Sequence, residues 1–311
     1  MAETWYNHLG LCADYSVSNI DLATSIGAQW LRTAPEYGWG ISPSTIKTQT
    51  DTLRTKGMKH LAVVQYNAGG TKPHSYDKVL TDPTVRAAFI KWVASLAPYC
   101  DAIEIGNEWN LTAVFWQGTY DASWKQQAKL MYDVAIACKK ANSNILLVTA
   151  GMSPYGNDDG GTVKKWPQTA LPLLLAEIDR LAKLGGLSGF SALFAGIGQH
   201  LYEAKYNPTS GPNVDHPGWW AVKQNRLVWS LVSKYGVPIW NTEFGQKRID
   251  FTSDTAAATH MGLYFQEFES QKSLGINIAM HIVISKSAFD GDWTLDPATK
   301  TRIKQQSVKV W

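Results

Sequence analysis

The sequence predicts an α/β protein folded as a single (β/α)8 TIM barrel over residues 1–311, with long loops on its C-terminal face. Three observations carry that expectation. Eight short apolar or β-branched runs alternate with longer segments of helical period, the pattern of a parallel sheet with crossover helices. A count of eight favours closure into a barrel over an open doubly wound sheet. The Gly-rich phosphate turn of an open dinucleotide-binding sheet is also missing, since GWGISP at 38–43 holds only two glycines and does not end a strand.

The strands read as 8–13 (HLGLCA), 29–33 (QWLRT), 59–66 (KHLAVVQY), 102–107 (AIEIGN), 145–150 (ILLVTA), 195–201 (AGIGQHL), 237–242 (VPIWNT) and 277–284 (NIAMHIVI). Helices between them carry recognisable punctuation. Asp82-Pro83 supplies a cap and a first-turn proline before Phe89, Val93 and Leu96 on one face. Leu130, Val134, Ala137 and Cys138 repeat at helical spacing and end in Lys139-Lys140, charges that suit a helix C-terminus. Leu171, Leu174, Leu175, Ile178 and Leu181 run to Gly185-Gly186, a natural stop. Met261, Tyr264, Phe265 and Phe268 form a further stripe closed by Gly275, and Asp296-Pro297 opens the last helix. Segments 109–120, 151–167 and 202–218 are long, polar and rich in Gly, Pro and aromatics. In a barrel all three rise from the face that carries the site.

Composition excludes several classes. A formal charge of +3 over 311 residues, with no basic run longer than a pair, offers no stripe for nucleic acid. No stretch of about 18 apolar residues exists to span a membrane. The N-terminal MAETWYNHLGLC shows neither a basic segment nor an apolar run before a cleavage site, so no secretory leader is visible. Cys12, Cys100 and Cys138 lie in apolar segments without C-x-x-C spacing and read as small buried thiols. The seven histidines, at 8, 60, 74, 200, 216, 260 and 281, contain no His-x-His pair and no H-E-x-x-H, so neither a metal nor a cofactor is expected. GLSGF at 186–190 lacks the last glycine of a nucleophile elbow and reads as a turn.

The unusual feature is 14 Trp and 13 Tyr. Trp39, Trp109, Trp116, Trp219, Trp220 and Trp293 fall where strands give way to loops, and flat aromatic faces there suit stacking on a polyhydroxylated ring. Packing beneath the loops is the competing reading.

The carboxylates define the chemistry. Side chains alternate along a strand, so Glu104, Gly106 and Glu108 are expected on one face, the barrel interior, with Glu104 deep and structural and Glu108 at the rim. Partial desolvation there would raise the affinity of Glu108 for its proton, as a general acid requires. VPIWNTEFG delivers Glu243 to the same rim from the seventh strand. Two carboxylates about 5–5.5 Å apart would form the machinery of retaining glycoside hydrolysis, and about 6.5–9.5 Å would indicate inversion.

EIGNEWN resembles the E-I-x-N-E-x-N stretch that ends strand four in the clan A glycoside hydrolases, retaining (β/α)8 enzymes, and IWNTEFG resembles their strand-seven nucleophile segment. The flavour is closest to families 39 and 5. The resemblance implies Glu108 as acid/base, Glu243 as nucleophile and Asn107 as hydrogen-bonding partner of the sugar hydroxyl beside the reacting carbon. It implies further that Arg32, in WLRT, keeps Glu243 ionised, and that His200 and Tyr202, in QHLY, line the site. Tyr66 and Asn67 in QYN are candidates for sugar contact at the rim of strand three. Many clan members end strand eight with a Trp that floors the sugar site; here the run is HIVISKSAFDGDW, and Trp293 would have to serve from the following loop.

The expected function is therefore a retaining, endo-acting glycoside hydrolase on a polysaccharide, working as a monomer. The alternatives are a glycan-binding barrel without catalysis and a transglycosylase on the same site. Polysaccharides lie outside cells, so the expected location is extracellular or phage-associated, reached by another export route, after loss of a leader, or from outside on a phage particle or in a lysis cassette. Asn110-Leu-Thr112 fits a glycosylation sequon but lies at the mouth of the site and is discounted.

Overall fold

A computed structural model describes residues 9–38, 40–66, 76–110, 120–154, 167–202, 217–245, 252–273, 278–283, 286–287, 291–292 and 295–307. Eight parallel strands build the wall: β1 (Leu9–Cys12), β2 (Trp30–Thr33), β3 (Lys59–Tyr66), β4 (Ala102–Asn107), β5 (Leu146–Gly151), β6 (Ile197–Tyr202), β7 (Ile239–Gly245) and β8 (Ile278–Val283). Ladders join β1 through β5, then β6 through β8, and β8 pairs back onto β1. Between β5 and β6 the ring is completed by bridges from Val148 to Gly196 and from Met152 to Gln199, with the Ala195 N–H donating to the Leu147 carbonyl at 2.8 Å. The barrel expected from the sequence is present. A two-residue strand, Glu36–Tyr37, adds to the end of β3, and Lys286–Ser287 pairs antiparallel with Gly291–Asp292 beyond β8.

The helices are α1 (Val17–Ser25), α2 (Pro43–Thr55), α3 (Tyr76–Thr81), α4 (Pro83–Leu96), α5 (Tyr120–Ala141), α6 (Pro167–Leu184), α7 (Pro217–Val232), α8 (Asp254–Ser273) and α9 (Pro297–Ser307). Asp82 caps α4 by accepting from the Thr84 and Val85 N–H groups, and Asp296 accepts from Thr299 at the start of α9. Helices α1 and α2 were not marked by an apolar stripe, because α1 buries only Ile20 and Ala23, and α2 only Ile46, Thr50 and Leu53. Their starts are set instead by Ser16 and Ser42, whose hydroxyls accept from the N–H groups three residues on. Trp219 and Trp220, expected in a loop, lie in the first turn of α7. Among the described residues no helix is long and apolar enough to cross a membrane.

Alternation along the strands divides the core in two. Leu9, Leu11, Leu31, Ala62, Val64, Ile103, Ile105, Leu147 and Ile197 face outward and pack under the helices. Trp30, Leu61, Ala102, Val148 and Trp240 face inward as a separate cluster that plugs the barrel, the two indoles meeting edge to face at 5.5 Å. Gly196 makes room for this plug, since a Cβ there would lie 2.4 Å from the Trp240 ring. Truncating either indole would cost about 3–5 kcal/mol by the usual scale for large core side chains.

On the outer face of β3, His60 is fully buried between two hydroxyls, Thr33 Oγ1 at 2.8 Å from Nε2 and Thr50 Oγ1 at 2.7 Å from Nδ1. Burial pushes its imidazole down to about 4, with Asp101 opposing weakly. The folded pKa lies below the unfolded value near 6.5, so the unfolded chain takes up the proton first. Stability is therefore expected to be full above about pH 6.5 and to fall by about 3 kcal/mol as pH drops to about 4. Urea unfolding across that window should show the loss, and His60→Gln should flatten this component of the slope.

Candidate active site

Parallel strands end on one face, which brings Cys12, Arg32, Glu104, Asn107, Glu108, His200, Thr242 and Glu243 together above the Trp plug. At their centre is Arg32, only 2% exposed. Its Nε donates to Glu104 Oε2 at 2.7 Å, Nη2 to Asn107 Oδ1 at 2.9 Å, and Nη1 both to Glu243 Oε1 at 2.5 Å and to Cys12 Sγ at 3.1 Å. Glu104 is fully buried and uses its other oxygen to accept from the Gly151 N–H at 2.8 Å and the Thr242 hydroxyl at 2.9 Å. Burial opposes its charge, but Arg32 and then His200 outweigh that and hold the carboxyl at about 2. Glu104 is thus a fixed anion beneath the mouth, as its deep position in β4 suggested.

His200 is also fully buried. Its Nδ1 lies 3.1 Å from Glu108 Oε1 and 3.5 Å from Glu243 Oε2, and its Nε2 lies 3.8 Å from Glu104 Oε1. Burial disfavours the imidazolium, yet Glu243, followed by Glu104 and Glu108, pushes the ring up to about 9, so it is cationic at neutral pH. Gly151 makes the space: a Cβ there would lie 2.1 Å from His200 Nε2 and 2.6 Å from Thr242 Oγ1. Cys12, expected as an inert buried thiol, is only partly covered and borders the site, while Cys100 and Cys138 are buried; all three are free. For Cys12, burial outweighs the pull of Arg32 and pushes the thiol up to about 12.

Both rim carboxylates arrive through backbone irregularity, which simple alternation did not foresee. Gly106 adopts φ 91° and Glu108 φ 49°. The glycine is required because a Cβ at 106 would fall 2.2 Å from the Trp109 ring. Glu108 carries left-handed strain of order 1 kcal/mol, and its N–H is held at 2.8 Å by the Gly151 carbonyl. As a result Glu104, Asn107 and Glu108 all reach the Arg32–His200 cluster, in place of the expected set Glu104, Gly106, Glu108. On β7 an extra residue is accommodated: Asn241 pairs with Gln199, Glu243 with the next residue His200, and the ladder to β8 shifts between Asn241 and Phe244. Thr242 and Glu243 therefore both turn inward, and Phe244 packs outward on Tyr264 and Phe268.

Two predicted sugar contacts are corrected. Tyr66 is 6% exposed and faces the helices, stacked on Tyr37 at 5.6 Å and edge-on to Phe89. Counting alternation from the inward Leu61 puts Gln65, not Tyr66, on the barrel's inner face, and that count was available in the sequence. Trp109 is 4% exposed and lies over Gly106, so it packs the β4 turn and presents no open platform. Tyr202 ends β6, at the rim. Trp39, Asn67, Trp116 and Trp293 lie outside the described residues. The sequon at Asn110 is closed off: its amide is 2% exposed, donates to the Ser153 carbonyl and accepts from the Ser153 N–H, both at 2.8 Å.

One oxygen each from Glu108 and Glu243 and one nitrogen of His200 lie within 4.8 Å of one another. Such a trio has the donors for a metal ion, but Arg32 already compensates Glu243 and the imidazole is protonated near neutrality, both of which oppose a cation.

The sequence matches no protein-family model and no curated protein. The fold, however, is shared with solved structures. An endo-1,4-beta-D-mannanase from Thermotoga petrophila superposes with TM-score 0.60 at 14% identity, covering 98% of this chain and 100% of its own. A family 5 xyloglucanase from Paenibacillus pabuli gives 0.63 at 12% identity, covering 99% of each chain. A beta-mannanase from the blue mussel Mytilus edulis gives 0.56 at 12%, covering 98% of this chain and 92% of its own. The barrel is the one these glycosidases use. The likeness is one of fold, with family 5 represented and the family 39 likeness left without support.

Adding a methyl at Gly151 is expected to displace His200 and Thr242 together. Gly151→Ala should lose about 1–3 kcal/mol of stability in denaturant unfolding, the usual penalty for overpacking. Wild-type stability would mean that the mouth yields freely around residue 151.

Proposed function

We propose that this chain is a retaining glycoside hydrolase, endo-acting on a polysaccharide. The observation that carries the reading is that one oxygen of Glu108 and one of Glu243 lie within 4.8 Å of each other, compatible with the close pairing of retaining enzymes. Position assigns the roles. Glu243 receives the short bond from Arg32, which suits an anionic nucleophile, and Glu108, at the rim beside His200, takes the acid/base role.

In the first step Glu243 attacks the anomeric carbon and the glycosidic C–O bond breaks. Glu108 gives its proton to the departing oxygen. The enzyme then holds a glycosyl ester, the negative charge has passed from Glu243 to Glu108, and His200 lies within 3.1 Å of the new anion as it lay within 3.5 Å of the old one. Water attacks next, Glu108 takes its proton, and Glu243 is released. Asn107 gives its carbonyl oxygen to Arg32, which turns its amide nitrogen towards a sugar hydroxyl.

Endo action is supported by the aromatic-rich segments after the strands. Long glycans lie outside cells, so the enzyme works there, exported or delivered from outside as on a phage particle; an upstream coding segment for a signal peptide would remove the second route. Mannan and xyloglucan, named for the structural neighbours, head the panel of substrates to try, followed by fungal and bacterial-envelope polysaccharides.

The wild type is expected to release reducing ends from one of these as internal fragments, with the anomer first formed matching that of the substrate. Glu108→Gln should lower kcat by about 10²–10⁴, the typical worth of a general acid, and Glu243→Gln should abolish turnover. Equal binding of one glycan by all three proteins without cleavage would instead support a recognition module. Inverted product would overturn double displacement.

A further inference from the structure

We propose that Asn241, Asn225 and Gln271 form a buried amide brace that positions Glu243 by locking the irregularity in β7, although none of the three reaches the mouth. The extra residue of β7 decides where the carboxylate points. With plain alternation from the inward Trp240, Thr242 would face in, Glu243 out and Phe244 in. With it, Glu243 faces the mouth and Phe244 the helices. A strand that can choose between two registers needs a device to hold one of them.

The structure pins this segment from both sides. Inside, the Thr242 hydroxyl donates to Glu104 Oε1 at 2.9 Å. Outside, Asn241 exchanges two hydrogen bonds with Asn225 of α7, at 2.8 and 3.1 Å, and its Nδ2 also reaches the Gln199 carbonyl at 3.4 Å, where the β6–β7 register shifts. Asn225 donates onward to Gln271 Oε1 of α8 at 3.1 Å, and Gln271 to Glu267 Oε1 at 3.1 Å, which Arg226 Nε also contacts at 2.7 Å. Asn225, Asn241 and Gln271 are all fully buried.

Val228 and Val232 of α7, Phe244 of β7, and Tyr264 and Phe268 of α8 belong to the hydrophobic core built by the same elements. Amides there gain little stability over well-packed apolar side chains, and specifying one arrangement is the better-attested use of a buried polar network. The pattern of bonds fits that use, because it links the irregular segment to two helices and to the neighbouring strand.

The proposal rests on Glu243 being the nucleophile for its effect on rate, but its geometric content can be read without any substrate. His200 reports on Glu243 through the charge 3.5 Å away. Following the His200 ring by NMR, identified by its absence in His200→Gln, should give a titration near 9 in the wild type. In Asn225→Leu the titration is expected to fall by about one pH unit or more as Glu243 withdraws. Gln271→Met, which leaves the Asn225–Asn241 pair intact, covers the case in which Asn225→Leu does not fold, and should shift it less in the same direction. On whichever polysaccharide the wild type cleaves, kcat should drop about tenfold or more with KM nearly constant. A lowered melting temperature with an unmoved His200 titration and unchanged kcat would overturn the proposal and leave the amides as packing. A shifted titration in a protein that cleaves nothing would uphold the brace and count against the hydrolase reading alone.

Discussion

The mouth of this barrel is organised by one buried cation. Arg32 reaches β1 through Cys12, β4 through Glu104 and Asn107, and β7 through Glu243, so a single guanidinium fixes the relative positions of three strands besides its own. A planar fork with five donors suits this task in a way a lysine ammonium would not. Burying the charge is tolerable because Glu104 is buried with it, and Glu104 in turn is satisfied by the Gly151 N–H and the Thr242 hydroxyl. Removing one member would strand the others in a medium of low polarity, which is why such clusters fail as units. Rigidity at the mouth follows from charge satisfaction as much as from packing.

The two carboxylates best placed for chemistry reach the mouth by departures from regular strand geometry. Gly106 and the left-handed Glu108 end β4, and an extra residue bends β7. Regular pleating below, where Trp30 and Trp240 close the barrel, gives the irregular parts a firm base. Among the described non-glycine residues Glu108 is the one with positive φ, and the bond from its N–H to the Gly151 carbonyl holds it there. His200 sits between the two departures and serves both carboxylates with one nitrogen.

Much of this was legible in the amino-acid order. Strand positions followed from apolar runs, because a strand buried on both faces must be apolar throughout, and α4 and α9 followed from Asp-Pro starts. Glu108 and Glu243 stood out as carboxylates ending apolar strands, the resemblance to clan A pointed to Arg32, Asn107 and His200, and the structure brings these five candidates together. Legibility failed where local geometry broke its own period. Alternation alone would have sent Glu243 outward, and nothing local marks the extra residue except the polar pair Asn241-Thr242 inside a strand. Tyr66 and Trp109 were misplaced for a different reason: aromatic composition cannot tell a platform from a wedge, and both rings turned out to have a close-packed partner, Tyr37 in one case and the bare Gly106 in the other. Helices α1 and α2 escaped because their buried faces are only two or three residues wide.

The reciprocal pair between Asn110 and Ser153 bears on how the protein can be produced. Asn110 begins an Asn-Leu-Thr sequence, and an oligosaccharide is attached to such a site while the chain is still extended, before any fold can hide it. In the folded barrel that same amide nitrogen is committed to the Ser153 carbonyl and shut away from solvent. Folding and glycosylation therefore compete for one atom. In a host that glycosylates secreted chains, a molecule modified there could not form the Asn110–Ser153 pair; in a host without that machinery the conflict never arises.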